Sequence, residues 1–222
     1  MKVEFYYDVV SPYSFLAFTV FSRYEKVWNI SFELHPFFLG GVMKATGNSA
    51  PASLPARAPY LLRDLFRQSN YYDLPLQIPS SFPANSLLAM RFLTAANQEN
   101  PSLLKPLTQI LWQHHYQEGH DITTETDIRS ALLSQPFDAE VINRLLAQCS
   151  EAKVKDALRQ ETETAIERGA FGAPIFFIQT PDGEEMFFGS DRFHLVAPVL
   201  GGSWDGPFPR NNHSSRSDKP II

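Results

Sequence analysis

The segment KVEFYYDVVSPYSFLAFTVFSRY, residues 2–24, decides the fold because a strand pattern runs directly into a helix pattern. Its first nine residues mix Val, Phe and Tyr in the manner of a buried strand. Pro12 suits the first turn of a helix, where its missing N–H leaves no hydrogen bond unmade, and Ser11 is a good N-cap residue. The sequence therefore predicts a helix over residues 12–26.

The pattern changes again further along the chain. ISFELHPFFL, residues 30–39, predicts a second strand, which is parallel to the first if the intervening helix is a crossover. Residues 40–60 are rich in Gly, Ala and Pro and predict a long loop, a type of segment that is often functional. Residues 59–168 carry apolar residues at helical spacing. A final hairpin and a closing helix are predicted from the segments PIFFIQT, PDG, EEMFFG and SDRFHLVAPVLGG.

These elements predict an α/β protein, a thioredoxin-like fold (βαβ…ββα) that is interrupted by a large all-helical insertion domain. The first part of the thioredoxin-like domain is predicted over residues 1–58 and its second part over residues 169–206, with the insertion over residues 59–168. Residues 207–222 are rich in Pro, Asn and Ser and predict a surface or disordered tail.

The composition excludes several classes of protein. The formal net charge is -5, with both signs mixed along the chain, which argues against a nucleic-acid-binding face. No apolar run approaches the length of a membrane span. Cys149 is the single cysteine, so we expect neither an internal disulfide nor a dithiol couple, and its helical context indicates a packed residue. These features, with no recognised targeting signal, predict an intracellular protein.

The turn SPYS, residues Ser11–Ser14, lies where a redox protein often carries Cys-x-x-Cys. Unpaired N–H groups and the helix dipole make such a helix N-terminus mildly positive. Since the protein has no thiol there, this setting suits the thiol of a ligand, with the Ser11 hydroxyl donating to the thiolate and lowering its pKa. The alternative is that Ser11 only caps its helix while Ser14 faces solvent.

Two turns in the last part of the chain are candidate binding elements. In RGAFGAPIFFI, the backbone around Ala173 and Pro174 suits β-augmentation by a peptide-like ligand, although Pro is also an ordinary first residue of a strand. In FFGSDRFHL, helix capping would account for Ser190 or Asp191 alone. Together these two residues suit the carboxylate and the ammonium group of an α-amino acid.

The predicted loop and a histidine pair complete the set of polar candidates. Lys44, Asn48 and Arg57 suit a second carboxylate, or are solvated loop charges. His114 and His115 are adjacent, so they face different directions on a helix, and no carboxylate stands at metal-ligand spacing. We therefore assign both histidines to structure and expect no metal.

Seven motifs, in order, resemble the kappa class of glutathione transferases, whose superfamily includes the 2-hydroxychromene-2-carboxylate isomerases and the disulfide oxidoreductase DsbA. They are FYYDVVSPYSFLAF, GGVMKATGN, AMRFLTA, LW, DIT, RGAFGAP and FFGSDR. The likeness runs from about Lys2 to Gly206, and the ordered set is specific although each motif is weak alone. It implies a thioredoxin fold with a helical insertion, glutathione as co-substrate, a small hydrophobic electrophile and a homodimer.

The resemblance also implies individual site residues. Ser11 matches the catalytic serine of the class. The implied glutathione site consists of Ser11, Pro12, Tyr13, Asn48, Arg57, Ala173, Pro174, Ser190 and Asp191. Arg57 stands where the class has lysine, and Ala173 replaces the usual leucine. Both residues at position 57 are cations, but arginine and lysine are not interchangeable at a binding site, whereas a backbone contact at Ala173 is expected to survive the change of side chain.

The activity implied is a glutathione transferase that acts in detoxification on aryl halides and, as a second class, on peroxides. One alternative is an enzyme like the 2-hydroxychromene-2-carboxylate isomerases, which would use glutathione as a catalytic thiol without consuming it. The other is a non-enzymatic thioredoxin-like chaperone or binding module. The class also implies a mitochondrial or peroxisomal location, with a cytosolic one as the alternative.

Overall fold

A computed structural model of the protein describes residues 1–133, 135 and 137–209. The strands are β1 (Lys2–Tyr7), β2 (Ser31–Pro36), β3 (Ile175–Thr180) and β4 (Gly183–Phe188). The helices are α1 (Pro12–Tyr24), α2 (Leu39–Thr46), α3 (Ala58–Tyr72), α4 (Leu87–Glu99), α5 (Leu104–Trp112), α6 (Glu125–Leu133), α7 (Ala139–Gln148), α8 (Ala152–Glu167) and α9 (Phe193–Val199). Short 3-10 turns occupy Pro51–Ser53 and Pro101–Leu103, and a π-helical turn, Gln113–Gln117, continues α5.

The four strands form one mixed sheet in the order β2-β1-β3-β4. β1 and β2 are parallel, with Val3 opposite Phe32 and Phe5 opposite Leu34, and α1 connects them as the predicted crossover helix. β3 is antiparallel to both β1 and β4. The predicted βαβ…ββα order is therefore confirmed.

Alternate residues of β1 enter two separate cores because successive side chains of a strand point to opposite faces. Val3, Phe5 and Tyr7 are buried in the larger core, which also contains α1 and the helical block. Tyr6 is buried in the smaller core with Phe177, next to α2 and α8. β1 is thus covered on both faces, which holds its carboxyl end, where α1 begins, in a defined position.

Residues 40–60 are not the continuous loop that their composition predicts, because α2 occupies Leu39–Thr46. Val42 is fully buried in the smaller core. Gly41 lets α2 lie close to α8, since a Cβ atom there would be 3.3 Å from Thr162 Cγ2. A glycine that signals a loop in composition therefore serves close helix packing.

Helices α3 to α8 form the predicted helical block, and α8 also covers the sheet. α4 is central to the block, with Ala89, Met90, Phe92 and Leu93 fully buried. α8 packs against α4 on one side and against α2 and β2 on the other. The predicted domain boundaries stay predictions. None of the helices in the described ranges combines the length and the apolar character that crossing a membrane requires.

The end of the described chain departs from one interpretation of the sequence. α9 begins at Phe193 with Arg192 as its N-cap residue and without a side-chain cap, so Ser190 and Asp191 do not cap it. Of the predicted tail, residues 210–222 lie outside the described residues. Phe208 lies on the protein surface beneath the Arg23 guanidinium, whose carbon is 4.2 Å from the ring centroid.

Candidate active site

A cleft of about 890 Å³ opens where the carboxyl end of β1 meets the N-terminus of α1 and the turns that flank the β3–β4 hairpin. The predicted site residues that line it are Ser11, Pro12, Tyr13, Asn48, Arg57, Ala173, Ser190 and Asp191. Pro174 is buried and does not line the cleft. Segments more than 160 residues apart in the chain, such as Ser11 and Ala173, meet here.

Ser11 lies at the floor of this cleft as the N-cap of α1. Its Oγ accepts the Ser14 N–H at 3.1 Å, and its O–H donates to the Ala173 carbonyl at 3.4 Å. The second bond is long and therefore weak, so a charged acceptor entering the cleft would replace it. Ser14, which sequence analysis left open as solvent-facing, is instead fully buried, and its hydroxyl has no hydrogen-bond partner among the described residues.

The Ala173–Pro174 segment presents backbone groups to the cleft. The peptide bond between the two residues is cis. The Pro174 carbonyl accepts the Gly189 N–H at 3.0 Å, whereas the Ala173 N–H has no hydrogen-bond partner in the part of the chain that the structure describes. The backbone of Ala173 is therefore open for pairing with an extended, peptide-like ligand.

The turn Gly189–Asp191 places a hydroxyl next to a carboxylate. Ser190 is buried, and its carbonyl accepts the Tyr72 O–H at 2.9 Å. Asp191 is exposed and pairs with Arg192 at 3.2 Å. Gly189 has φ +99°, and a Cβ atom there would lie 2.9 Å from Asp191 Oδ1, so only glycine fits without displacing the carboxylate. This turn suits the two charges of an α-amino acid.

Asn48 and Arg57 form a more exposed wall of the cleft. The Asn48 side-chain amide donates to the Phe171 carbonyl at 2.7 Å, which ties the end of α2 to the segment before β3. Arg57 precedes α3, is exposed, and has no ion pair within the described ranges. Lys44 is exposed on α2 and does not line the cleft. Of the two loop cations, Arg57 is therefore the one placed to meet a ligand carboxylate.

Tyr13 connects the two helices that border the cleft, and its partner was missed in the sequence. Its O–H donates to Asp64 Oδ2 on α3 at 2.7 Å. Burial, reinforced by the Asp64 charge, raises the pKa of Tyr13 well above its usual value, so the phenol stays protonated as a donor. Nothing in the YLLRDLF pattern around Asp64 distinguishes this residue from a solvated helix charge.

Apolar side chains form much of the remaining surface of the cleft. Phe38 and Met43 come from the segment around α2, Phe82 from the irregular segment before α4, and Phe171 and Phe188 from the two sides of the hairpin. The rings of Phe171 and Phe188 are in contact, with centroids 4.6 Å apart. The sequence contains 18 phenylalanines, and nothing in their local patterns distinguishes the ones that line the cleft from those of the core.

The histidine assignment needs a correction. His114 Nδ1 lies 3.2 Å from Glu118 Oε2, and the ligand atoms of His114, Glu118 and His120 lie within 4.8 Å of one another. The prediction that no carboxylate stands at metal-ligand spacing is therefore wrong for His114, because Glu118 lies one helical turn after it. The π-helical turn and the loop after it bring these residues together, since the His120 N–H donates to the His114 carbonyl at 3.0 Å.

Comparison with known proteins places this architecture in a family. A family profile described as DSBA-like thioredoxin domain matches residues 2–201. Glutathione S-transferase kappa 1 of Homo sapiens is 39% identical over 212 residues, which are 93% of this chain and 94% of the human protein. The 2-hydroxychromene-2-carboxylate isomerase of Pseudomonas putida is 26% identical over 205 residues, 90% of this chain and 95% of the isomerase.

A solved structure of a 2-hydroxychromene-2-carboxylate isomerase matches with a TM-score of 0.74 at 24% identity, over 90% of this chain and 95% of that chain. This likeness shows the fold, whereas the 39% identity to the human protein shows the class. The profile match and the human relative both extend over nearly the whole described chain. The chain therefore belongs to the kappa class of glutathione transferases, an enzyme family built on the DsbA-like thioredoxin domain.

Proposed function

We propose that this enzyme conjugates glutathione to small electrophiles and that Ser11 stabilises the thiolate of the bound glutathione. The observation that carries the proposal is the position of Ser11 Oγ at the N-terminus of α1, on the cleft, with its proton on a 3.4 Å hydrogen bond to the Ala173 carbonyl. A thiolate is a charged acceptor and forms a stronger hydrogen bond than this carbonyl does. The identity to human glutathione S-transferase kappa 1 supports glutathione as the thiol.

Groups around the cleft match the parts of glutathione. The Ala173 backbone pairs with the cysteinyl backbone, which brings the cysteine sulfur next to Ser11. Ser190 binds the carboxylate of the γ-glutamyl residue and Asp191 its ammonium group. Arg57, beside Asn48, binds the carboxylate at the other end of the tripeptide. These two outer contacts are charge-assisted, and both of the charged residues are exposed.

Three further predicted residues shape the position of the sulfur. Pro12 and Tyr13 follow Ser11 in the first turn of α1 and border the sulfur on the helix side. Pro174, buried behind the lining, sets the direction of the Ala173 backbone. None of these three residues supplies a charge to the thiolate.

Ser11 and the N-terminus of α1 together can supply the free energy needed to lower the pKa of the bound thiol. A free thiol has a pKa of about 8.5, so only a few per cent is ionised at pH 7. Lowering the pKa of bound glutathione by about two units requires roughly 2.7 kcal/mol of differential interaction. A charge-assisted hydrogen bond from Ser11 and the dipole of α1 together supply an energy of this size.

The apolar part of the cleft indicates the class of electrophile. The thiolate attacks an electrophilic carbon of an aryl halide, a carbon–sulfur bond forms, and halide leaves with the bonding electron pair. Phe38, Phe82 and Phe188 line the cleft, and aromatic side chains pack well against such a ring. Peroxides are the second class: the thiolate attacks one peroxide oxygen, the O–O bond breaks, hydroxide or alkoxide leaves, and a second glutathione converts the resulting sulfenic acid to the disulfide and water.

A glutathione-dependent isomerase is the alternative activity. The isomerase of Pseudomonas putida shares 26% identity with this chain, against 39% for the human transferase, which favours conjugation. The two activities differ in stoichiometry, because an isomerase regenerates glutathione and a transferase consumes it. Counting free thiol before and after complete substrate turnover separates them.

The test of the mechanism is ultraviolet difference absorbance of bound glutathione, titrated with pH. We expect the wild-type protein to ionise the bound thiol about two units below its free pKa, and Ser11→Ala to abolish this shift. Ser14→Ala is the matched control, since it removes a serine hydroxyl from the same helical turn without changing the cleft lining.

An unshifted titration with wild-type protein would overturn the proposal and make the thioredoxin-like binding module the leading account. Equal shifts in wild type and Ser11→Ala would leave glutathione as the ligand but remove Ser11 from its role.

Assembly, location and domain division are also proposals. We propose a homodimer, to be tested by sedimentation equilibrium, and a mitochondrial or peroxisomal location, to be tested by fluorescence microscopy of the tagged full chain.

The proposed divisions near residues 58 and 168 predict that limited proteolysis cleaves first at those two places.

A further inference from the structure

Asp8 is a fully buried carboxylate directly beneath the cleft, and the steps proposed above make no use of it. Its Oδ1 accepts the Val10 N–H at 3.0 Å. Its Oδ2 accepts the Leu39 N–H at 2.9 Å and the Ser86 O–H at 2.8 Å. Its backbone carbonyl accepts the Ser11 N–H at 3.0 Å. Both oxygens of the Asp8 carboxylate therefore act only as hydrogen-bond acceptors.

The three donors come from three segments that are distant in sequence and that each line the cleft. Val10 lies in the turn that presents Ser11. Leu39 is the first residue of α2, the helix that leads to Asn48. Ser86 ends the irregular segment before α4, which carries Phe82. One carboxylate thus joins the thiol-binding turn, the wall that carries Asn48 and the apolar wall.

This arrangement specifies a carboxylate and rejects an amide of the same shape. A carboxylate accepts at both oxygens, whereas an asparagine accepts at one atom and donates at the other. In an Asp8→Asn variant, the NH₂ group faces the N–H of either Val10 or Leu39, whichever way the amide is oriented. The Ser86 hydroxyl can rotate away, but a backbone N–H cannot, and an unpaired buried donor is unfavourable.

The titratable groups that face Asp8 are Tyr7 and Tyr116, and burial raises the pKa of both phenols, so they stay neutral. Desolvation raises the pKa of Asp8 itself to about 6, although the hydrogen bonds from Val10, Leu39 and Ser86 oppose this. The carboxylate is therefore ionised at neutral pH and becomes protonated under mildly acidic conditions, where it no longer accepts from all three donors.

We propose that Asp8 is a positioning residue that holds the thiol-binding turn, the start of α2 and the segment before α4 in the geometry that binds glutathione. The inference rests on the proposed binding of glutathione. It adds that Asp8 supports the affinity of the site and does not assist the ionisation of the thiol. A negative charge near the sulfur opposes thiolate formation, so removing the charge does not raise the thiol pKa.

The experiment compares wild type, Asp8→Asn, Ser86→Ala and Thr108→Val by isothermal titration with glutathione and by ultraviolet difference titration of the bound thiol. Thr108→Val is the matched control, because it breaks another fully buried hydrogen bond of β1, between Tyr7 Oη and Thr108 Oγ1 at 2.5 Å, outside the cleft lining. We expect Asp8→Asn to raise the Kd for glutathione about tenfold, which corresponds to about 1.4 kcal/mol, with no rise in the pKa of the bound thiol.

Ser86→Ala keeps both backbone donors paired, so we expect a two- to threefold rise in Kd, a loss of roughly half a kcal/mol. We expect wild-type affinity to fall more steeply than that of Asp8→Asn as the pH drops through about 6, because ionisation of the bound thiol contributes to the pH dependence of both proteins and protonation of Asp8 only to that of wild type. A Kd for Asp8→Asn equal to that of Thr108→Val would overturn the inference, as would a raised thiol pKa. If circular dichroism shows Asp8→Asn to be unfolded, an unchanged Kd in Ser86→Ala overturns it instead.

The same data separate the inference from the proposed function. Failure of wild-type protein to bind glutathione would remove the proposed function itself. If wild type binds glutathione and Asp8→Asn and Ser86→Ala bind it with the same Kd, only the role of Asp8 is removed.

Discussion

The two sides of the cleft hold their polar groups in opposite ways. On the sheet side, Ser11 and Ser190 are only 5% and 3% exposed, and backbone hydrogen bonds hold the turns that carry them. On the wall formed by the segments after α2 and before α3, Asn48 and Arg57 are exposed, as Asp191 is beside Ser190, and Arg57 has no ion pair among the described residues. The buried side is suited to stabilising charge on a sulfur, because low exposure strengthens electrostatic interactions, while the solvated side is suited to recognition of the rest of the ligand.

The largest effect expected on the buried side is the pH dependence of the free energy of unfolding that Asp8 causes. Because the pKa of Asp8 is raised from 3.8 to about 6, the folded state binds this proton more tightly than the unfolded state does. The stability that the protonated form contributes is complete below pH 3.8 and is lost as the pH rises through about 6. The free energy of unfolding of wild type, relative to Asp8→Asn, should fall by roughly 3 kcal/mol across this window.

Urea unfolding of both proteins at several pH values from about 3.5 to about 7.5 measures this difference, and groups that titrate in both proteins cancel. A difference that is independent of pH would mean that Asp8 keeps an ordinary pKa and that the buried side is less desolvated than its geometry indicates.

A smaller effect is expected at the turn that carries Ser190. Gly189→Ala places a side chain at φ +99°, which strains the turn, and 2.9 Å from Asp191 Oδ1, which displaces this carboxylate from its position. We expect glutathione affinity to fall by about 2 kcal/mol, which is roughly thirtyfold. Gly201→Ala is the matched control, since its φ is +72° but nothing lies within 4 Å of the added Cβ.

Isothermal titration with glutathione distinguishes the two glycine variants. Both should lose thermal stability through backbone strain, but only Gly189→Ala should lose affinity. Equal affinities in the two variants would show that the Ser190 turn is not part of the glutathione site.

The exposed side should give a smaller effect that depends on salt. Arg57→Ala removes a solvated cation, and we expect a loss of about 0.5–1 kcal/mol in glutathione affinity, roughly two- to fivefold, which disappears at about 1 M salt. Arg57→Lys should recover most of the loss if the contact is a single charge, and little if it is bidentate. The Kd measured at low and at high salt decides this, and a loss that is insensitive to salt would contradict the assignment of Arg57 to a solvated contact.

The smallest effect on function is expected outside both sides of the cleft, at Cys149. This thiol is buried, as sequence analysis predicted, and burial raises its pKa to about 11, so it is protonated and unreactive at neutral pH. Cys149→Ala should leave transferase activity unchanged within about twofold and cost about 1 kcal/mol of stability. Activity assayed after treatment with iodoacetamide checks this, and inactivation of wild type but not of Cys149→Ala would show that the thiol is accessible.

Local patterns predicted more of the buried side than of the exposed side. The strand that runs into Ser11–Pro12, the parallel crossover and the final hairpin follow from signals within a few residues, such as an N-cap followed by Pro or a turn between two β-rich runs. The resemblance to the kappa class pointed to Ala173, Ser190 and Asp191, and all three lie on the cleft. Whether they bind glutathione stays a proposal.

Other features had no local signal. The glycines before Val42 suggested a loop, although one of them allows α2 to pack on α8. Asp64, Phe82 and Ser86 lie in segments whose patterns are those of ordinary helix or loop residues, yet each lines the cleft. The proximity of His114 to His120 depends on a π-helical turn that periodicity does not reveal.

The order of strands and helices, the place of the serine turn and the membership of a thiol-using class were thus readable from residues 2–206 alone, because hydrophobic period, turn chemistry and ordered motifs are properties of the chain. Tertiary packing decided which side chains come into contact and how far each is shielded from solvent. Asp8 is an acidic residue in an apolar segment until the fold surrounds it with donors from Val10, Leu39 and Ser86, since burial and long-range hydrogen bonds arise only when distant segments are brought together.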